Sequence, residues 1–190
     1  MTLSSNIKLE LKYYLKTNSS KMKNYIVKFK TVNKSPKPVS VKFSIYSALG
    51  GFITITILAF LTKNLELPFI MAPFGASCVL AFGVPDSPLA QPRNIIGGHL
   101  ISTFIGLCCF WLFGNQWYAL ALGVGLAIGI MQLTQTTHPP AGADPLVVIL
   151  GACHWDFLLN PVLSGSLIIT IIALLFNNIS PYRKYPKYWR

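Results

Sequence analysis

The charge of this chain sits at its two ends, and the long stretch between them carries almost none. Ten of the sixteen Lys and Arg residues precede residue 45, against one acid, Glu10, and four more (Arg183, Lys184, Lys187, Arg190) fall in the last eight residues. Between them only Lys63, Glu66, Asp86, Arg93, Asp144 and Asp156 are charged. A soluble domain of 190 residues can bury a good core, but it still needs a polar surface that this stretch cannot supply. The chain therefore reads as an all-α, polytopic membrane protein, with a membrane domain over residues 44–180 between basic tails at 1–43 and 181–190. The net charge of +11 belongs to those tails and not to a nucleic-acid-binding face, for which no recognition motif is present.

Basic residues flanking spans stay on the cytoplasmic side, so both tails are expected there and the number of crossings is expected to be even. The first 43 residues hold no long apolar run of the signal-peptide kind. They read as a solvated or membrane-surface tail with a helical stretch around Ile7–Tyr14. Their Lys- and Asn-rich composition suggests a bacterial inner membrane. Cys78, Cys108, Cys109 and Cys153 all lie in apolar segments without CxxC or Cys/His spacing, and read as reduced packing residues.

Four segments are long enough to span: Ser44–Leu61, Ile95–Gly114, Trp117–Leu133 and Phe157–Phe176. At 1.5 Å per residue, about twenty residues cover the roughly 30 Å hydrocarbon core. Two further apolar segments are shorter and broken. Phe69–Val84 contains Pro73, Gly75 and Ser77; Ala141–Cys153 follows His138-Pro139-Pro140 and contains Gly142, Asp144 and Pro145. They either cross at a thin place or dip in and return. Irregular backbone at membrane depth requires protein or a water-filled cavity to satisfy it.

The two broken segments resemble each other. Pro73-Phe74-Gly75-Ala76-Ser77 aligns with Pro140-Ala141-Gly142-Ala143-Asp144 at an offset of 67, which also carries Gly98 onto Gly165. The domain thus reads as two units, about 44–114 and 117–179. They are inverted if each short segment crosses, and parallel if each re-enters. Matched Pro/Gly-interrupted segments point to a transporter's binding site. Gly98-xxx-Ser102-xxx-Gly106 and Ala121-xxx-Gly125-xxx-Gly129 present small residues for close helix packing, within the protomer or in a homo-oligomer.

Proline at the start of a helix leaves the following N–H groups free for a small anion. Pro73 would expose the amides of Phe74, Gly75 and Ala76 beside the Ser77 hydroxyl, and Pro140 those of Ala141, Gly142 and Ala143. Asp144 either caps the second helix or takes up a proton. Arg93 either attracts an anion or snorkels to headgroups. His99, one turn deeper, is a functional candidate by its depth or a neutral histidine bonded between helices. No HExxH, GxSxG, P-loop, GxGxxG or paired-carboxylate signature is present, so neither an enzyme nor a cofactor is expected. His99, His138 and Asp144 show no i, i+4 ligand pair, and no metal is expected.

Together, Pro73–Ser77, Ser87-Pro88-Leu89-Ala90-Gln91-Pro92-Arg93-Asn94, Gly98-His99, Thr137-His138-Pro139-Pro140-Ala141-Gly142-Ala143 and Tyr185-Pro186-Lys187-Tyr188-Trp189 resemble the HPP family of integral membrane proteins over about residues 43–190. The resemblance implies four transmembrane helices. Because plastid and cyanobacterial members are nitrite transporters, it also implies transport of a small inorganic anion, nitrite first. Gln91, Asn94, Thr137 and Pro139 join the candidate substrate-binding residues Pro73, Gly75, Ala76, Ser77, Arg93, His99, His138, Pro140, Gly142 and Asp144. A non-transporting membrane scaffold or sensor subunit is the alternative.

Overall fold

The structure is a computed structural model that describes residues 21–66 and 68–189. The helix expected around Ile7–Tyr14 lies outside the described residues. The chain divides into two compact units, Met1–Pro38 and Val39–Arg190. In the first, residues 21–27 form a short exposed helix. The second is helical, with no strand among its described residues.

Helix α1 (Val41–Leu65) begins where the Ser40 hydroxyl accepts from the Phe43 N–H. Only Gly50, Thr54 and Leu58 are buried on it, one stripe at i, i+4, i+8, while Phe52 and Phe60 point outward. An exposed apolar helix of this kind suits lipid as its solvent. Helix α2 (Pro73–Cys78) runs into a π-helical turn, Val79–Gly83. A short 3₁₀ turn, Pro88–Ala90, leads to α3 (Pro92–Phe113), then α4 (Trp117–Leu133). A 3₁₀ turn over Pro139–Ala143 precedes α5 (Asp144–Leu150), and α6 (Ser164–Ile179) closes the domain.

Three helical runs are long and apolar enough to cross a bilayer among the described residues: Val41–Leu65, Pro92–Phe113 and Trp155–Ile179. The expectation of four long spans is thus met by three. With 17 residues α4 rises only about 26 Å, short of the others. The last run is not one regular helix. Asn160 sits at φ −129°, ψ 118°, because the ring of Pro161 drives the residue before it out of the helical region.

Contacts fix the direction of each pass. The Phe69 N–H reaches Thr62 near the end of α1, whereas the Phe82 carbonyl accepts from Ser47 near its start. The first broken segment therefore runs back along the length of α1 in a single pass. Arg93 and Asn94, at the start of α3, donate to the carbonyls of Thr134 and Thr137, just past the end of α4. The second broken segment leaves that end and runs along α3 in the same direction, with His138 against Gly98 and Pro145 against Gly106. Asn177, near the end of α6, returns to the Ala81 carbonyl. The two short segments thus run in opposite directions within Val39–Arg190, the first back along α1 and the second forward along α3.

The small-residue stripe of α3 packs within the chain. A Cβ on Gly98 would lie 2.7 Å from His138 Cβ, and one on Gly106 would lie 2.8 Å from Pro145 Cα. Ser102 donates to the Ala141 carbonyl between them. By contrast, Ala121 and Gly125 of α4 are exposed, and a Cβ on Gly125 or Gly129 would meet nothing within 4 Å. The buried side of α4 is Ala119, Gly123, Ala127 and Met131 instead.

Residues 183–188 of the basic tail are tied to the helical domain. Arg183 donates to the Phe82 carbonyl, Asn177 and Ser47, and lies over the rings of Phe43 and Tyr46. The Tyr185 side chain is buried and its hydroxyl donates to the Ala90 carbonyl at 2.7 Å. Burial raises the pKa of that phenol, so it stays a donor. Lys187 N–H donates to Gln91 Oε1, and the Tyr188 hydroxyl to the Pro88 carbonyl. Tyr185→Phe should cost about 1 kcal/mol, seen as a lower thermal midpoint of the purified protein. Lys187→Ala, which breaks only an exposed pair with Asp86, should change it little.

Candidate functional site

A stretch of hydrogen-bonded side chains crosses the junction of the two broken segments. Ser77 on α2 places its Oγ 2.8 Å from His99 Nε2 and 2.8 Å from His138 Nε2. His99 Nδ1 lies 2.8 Å from Asp144 Oδ2, to which Thr103 also donates at 3.3 Å. At the other end, His138 Nδ1 donates to the Leu89 carbonyl at 2.8 Å. Ser77, His99, His138 and Asp144 are all 0% exposed. Asp144 Oδ1 is buried and has no partner.

Each position has a local cause. Gly98 allows His138 to come close to α3, and that contact brings its ring within 5.0 Å of the His99 ring. Thr103 is one turn beyond His99, so both side chains reach Asp144 from one face of α3. Phe74, one turn before Ser77, closes the wall by meeting His99 edge-on at 5.2 Å. Phe74 has room because α6 carries Gly165 opposite it.

The other expected site residues have different places. Gln91 is buried and ties its own loop, donating to the Pro85 and Ser87 carbonyls. Arg93 and Asn94 hold α3 to the loop after α4, and Thr137 supplies a carbonyl there. Asn94 Oδ1 is buried without a partner. Pro73 and Ala76 face Pro139, Pro140 and Ala143 across an open groove of about 740 Å³. Gly75 and Gly142 border open space.

The two broken segments therefore do face each other, but not as a paired amide site. The N–H groups of Phe74 and Gly75 are taken by the Met71 and Ala72 carbonyls, and that of Ala141 by the His138 carbonyl. Helical turns begin before Pro73 and at Pro139, and they consume the donors that a helix starting at each proline would leave free. The groove is lined by Ala, Pro, Val and Leu side chains, which offer an anion no hydrogen bond.

What the sequence did not reveal is the connection of Ser77 to both histidines and of His99 to Asp144. These partners stand 22, 61 and 45 residues apart, beyond the reach of any local spacing rule. The one available signal was the repeat. Ser77 and Asp144 hold the same place in the two units at the offset of 67, and His99 bonds one through each ring nitrogen.

Chemically, this arrangement can hold and pass a proton. It also has the Ser–His–acid order of acyl-transfer enzymes, but there the serine must reach a substrate carbonyl. Here Ser77 Oγ is closed in by a second imidazole. Among the described residues, no three His, Cys, Asp or Glu side chains gather as a metal set.

Comparison with known proteins finds transmembrane relatives. Two transmembrane proteins of Dictyostelium discoideum are similar, one 38% identical over 196 residues and the other 39% identical over 153 residues. These alignments cover 97% and 74% of this chain but only 61% and 54% of the relatives. The chain thus spans little more than half the length of the curated relatives it matches. They lend no support to the bacterial membrane suggested by composition. No solved structure matches the chain. The model of the HPP transmembrane region matches residues 36–186, which takes in every helix of the second unit, and the chain is an integral membrane protein of the HPP family.

Proposed function

We propose that the protein is a membrane transporter of a small inorganic anion, with nitrite the first candidate. The observation that carries this reading is the buried network of Ser77, His99, His138 and Asp144 at the junction of the two units. Ionisable side chains at membrane depth are expensive and mark substrate or ion pathways. Transporters place such sites where two repeats meet. The closed centre is then one state of an alternating cycle, with substrate admitted when the units part.

The test is nitrite uptake into proteoliposomes, measured against protein-free vesicles. Saturable uptake is expected, and His138→Ala should lower it at least tenfold while the purified variant stays monodisperse. Absence of saturable uptake in the wild type would sink the reading.

The packed centre and apolar groove favour one rival, a non-transporting scaffold or sensor subunit. That reading expects no flux and a stable partner on copurification.

A further inference from the structure

We propose that His138, Ser77, His99 and Asp144 form a proton wire, so that the ion coupled to transport is the proton. The wire rests on the transport reading for its purpose but on hydrogen-bond accounting for its existence. The Leu89 carbonyl can only accept, so His138 Nδ1 carries a hydrogen. With His138 neutral, its Nε2 is a bare acceptor and takes the Ser77 O–H at 2.8 Å, in preference to the Pro73 carbonyl at 3.3 Å. Ser77 Oγ in turn accepts from the Nε2–H of His99. One hydrogen remains for the 2.8 Å contact between His99 Nδ1 and Asp144 Oδ2.

Every donor then points along the chain toward Leu89, and the transfer balances. The Asp144 O–H bond breaks as a proton joins His99 Nδ1. The His99 Nε2 proton passes to Ser77 Oγ, and the original Ser77 proton passes to His138 Nε2. One proton is gained at His138 and one lost at Asp144, with no change of oxidation state. Asp144 becomes a carboxylate and His138 an imidazolium still bonded to Leu89.

The wire has an open and a closed end. Leu89 belongs to the loop beside exposed Asp86 and Pro88. Beyond Asp144 lie Pro145, Val148 and Ile149 on α5 and Ile105, Leu107 and Cys109 on α3, all buried and without another carboxyl, imidazole or amine. The charged groups near the Leu89 end are held elsewhere: Arg93 on the Thr134 carbonyl, Arg183 on Phe82, Asn177 and Ser47, and Lys187 on Asp86. A proton leaving His138 Nδ1 must first break the bond to the Leu89 carbonyl, so exchange in this state runs through the opening of that loop and with its face only. Release to the other face requires the two units to part at His99, which joins Ser77 of one to Asp144 of the other.

Infrared spectroscopy of the detergent-purified full chain tests the wire without any anion. A carboxylic-acid carbonyl band that shifts in D₂O and is missing in Asp144→Asn is expected. Its exchange with D₂O should slow at least tenfold in both Ser77→Ala and His138→Leu, which cut the wire at different points. Ser77→Thr, which restores a hydroxyl, should exchange like the wild type. No such band at any pH, or exchange at the wild-type rate in either cut variant, would overturn the wire. In proteoliposomes, an inward proton gradient should accelerate wild-type nitrite uptake at least fivefold over protein-free vesicles. Saturable uptake that ignores the gradient would overturn coupling and leave anion transport standing. An intact wire with no nitrite uptake would overturn the substrate reading alone.

Discussion

Gly165→Ala should be among the most damaging single changes in this protein. A Cβ there would sit 2.2 Å from the Phe74 ring and 2.8 Å from the Phe69 carbonyl oxygen. The ring has little room to retreat, because its edge already meets His99, and the carbonyl belongs to backbone. Overpacking of this kind costs about 1–3 kcal/mol, and here the displacement is passed to the histidine that joins the two units. The expected result is a lower denaturation midpoint in detergent together with lost nitrite uptake. A variant as stable as the wild type would show that α6 can slide away from α2 without cost.

His99→Leu should be at least as severe, at about 1–3 kcal/mol for the buried polar group it strands, because removing one member of a hydrogen-bonded pair leaves the other unsatisfied. Asp144 would keep only the 3.3 Å bond from Thr103, and Ser77 would keep His138. The double variant His99→Leu/Asp144→Leu removes both polar groups, and such replacements are often neutral or stabilising. It should therefore be more stable than His99→Leu alone, a non-additivity that unfolding measurements on both variants reveal. Transport should not return with stability. Recovery of both would mean that the pair serves packing, and a double variant as unstable as the sum of its parts would deny that the two residues interact.

Much of this architecture was legible because hydropathy and small-residue spacing are local signals. The offset of 67 between Pro73–Ser77 and Pro140–Asp144 placed the two broken segments opposite each other. It also paired Gly98 with Gly165, and the structure shows what these two share. Each admits a bulky residue from the broken segment of the other unit, His138 against Gly98 and Phe74 against Gly165. What sequence could not show was where backbone donors go, since that depends on a turn beginning one or two residues earlier than proline suggests. Nor could it separate Gly98–Gly106, which packs inside the chain, from Ala121–Gly129, which faces out, because both offer the same spacing. Charge gave no sign of the attachment at the far end of the chain, where Tyr185, between Arg183 and Lys187, is buried under the loop before α3.

That last attachment bears on the order of assembly. The loop from Pro88 to Gln91 is held by Tyr188, Tyr185 and Lys187, residues 95 to 100 positions later in the chain. During synthesis the first unit can enter the bilayer long before these residues are made, but its loop must wait for them. Leu89, which accepts from His138, is thus fastened only after both units have been inserted. Such late closure lets the halves find each other before the polar centre is locked, and it places a final checkpoint of maturation on a few aromatic and basic residues outside the membrane.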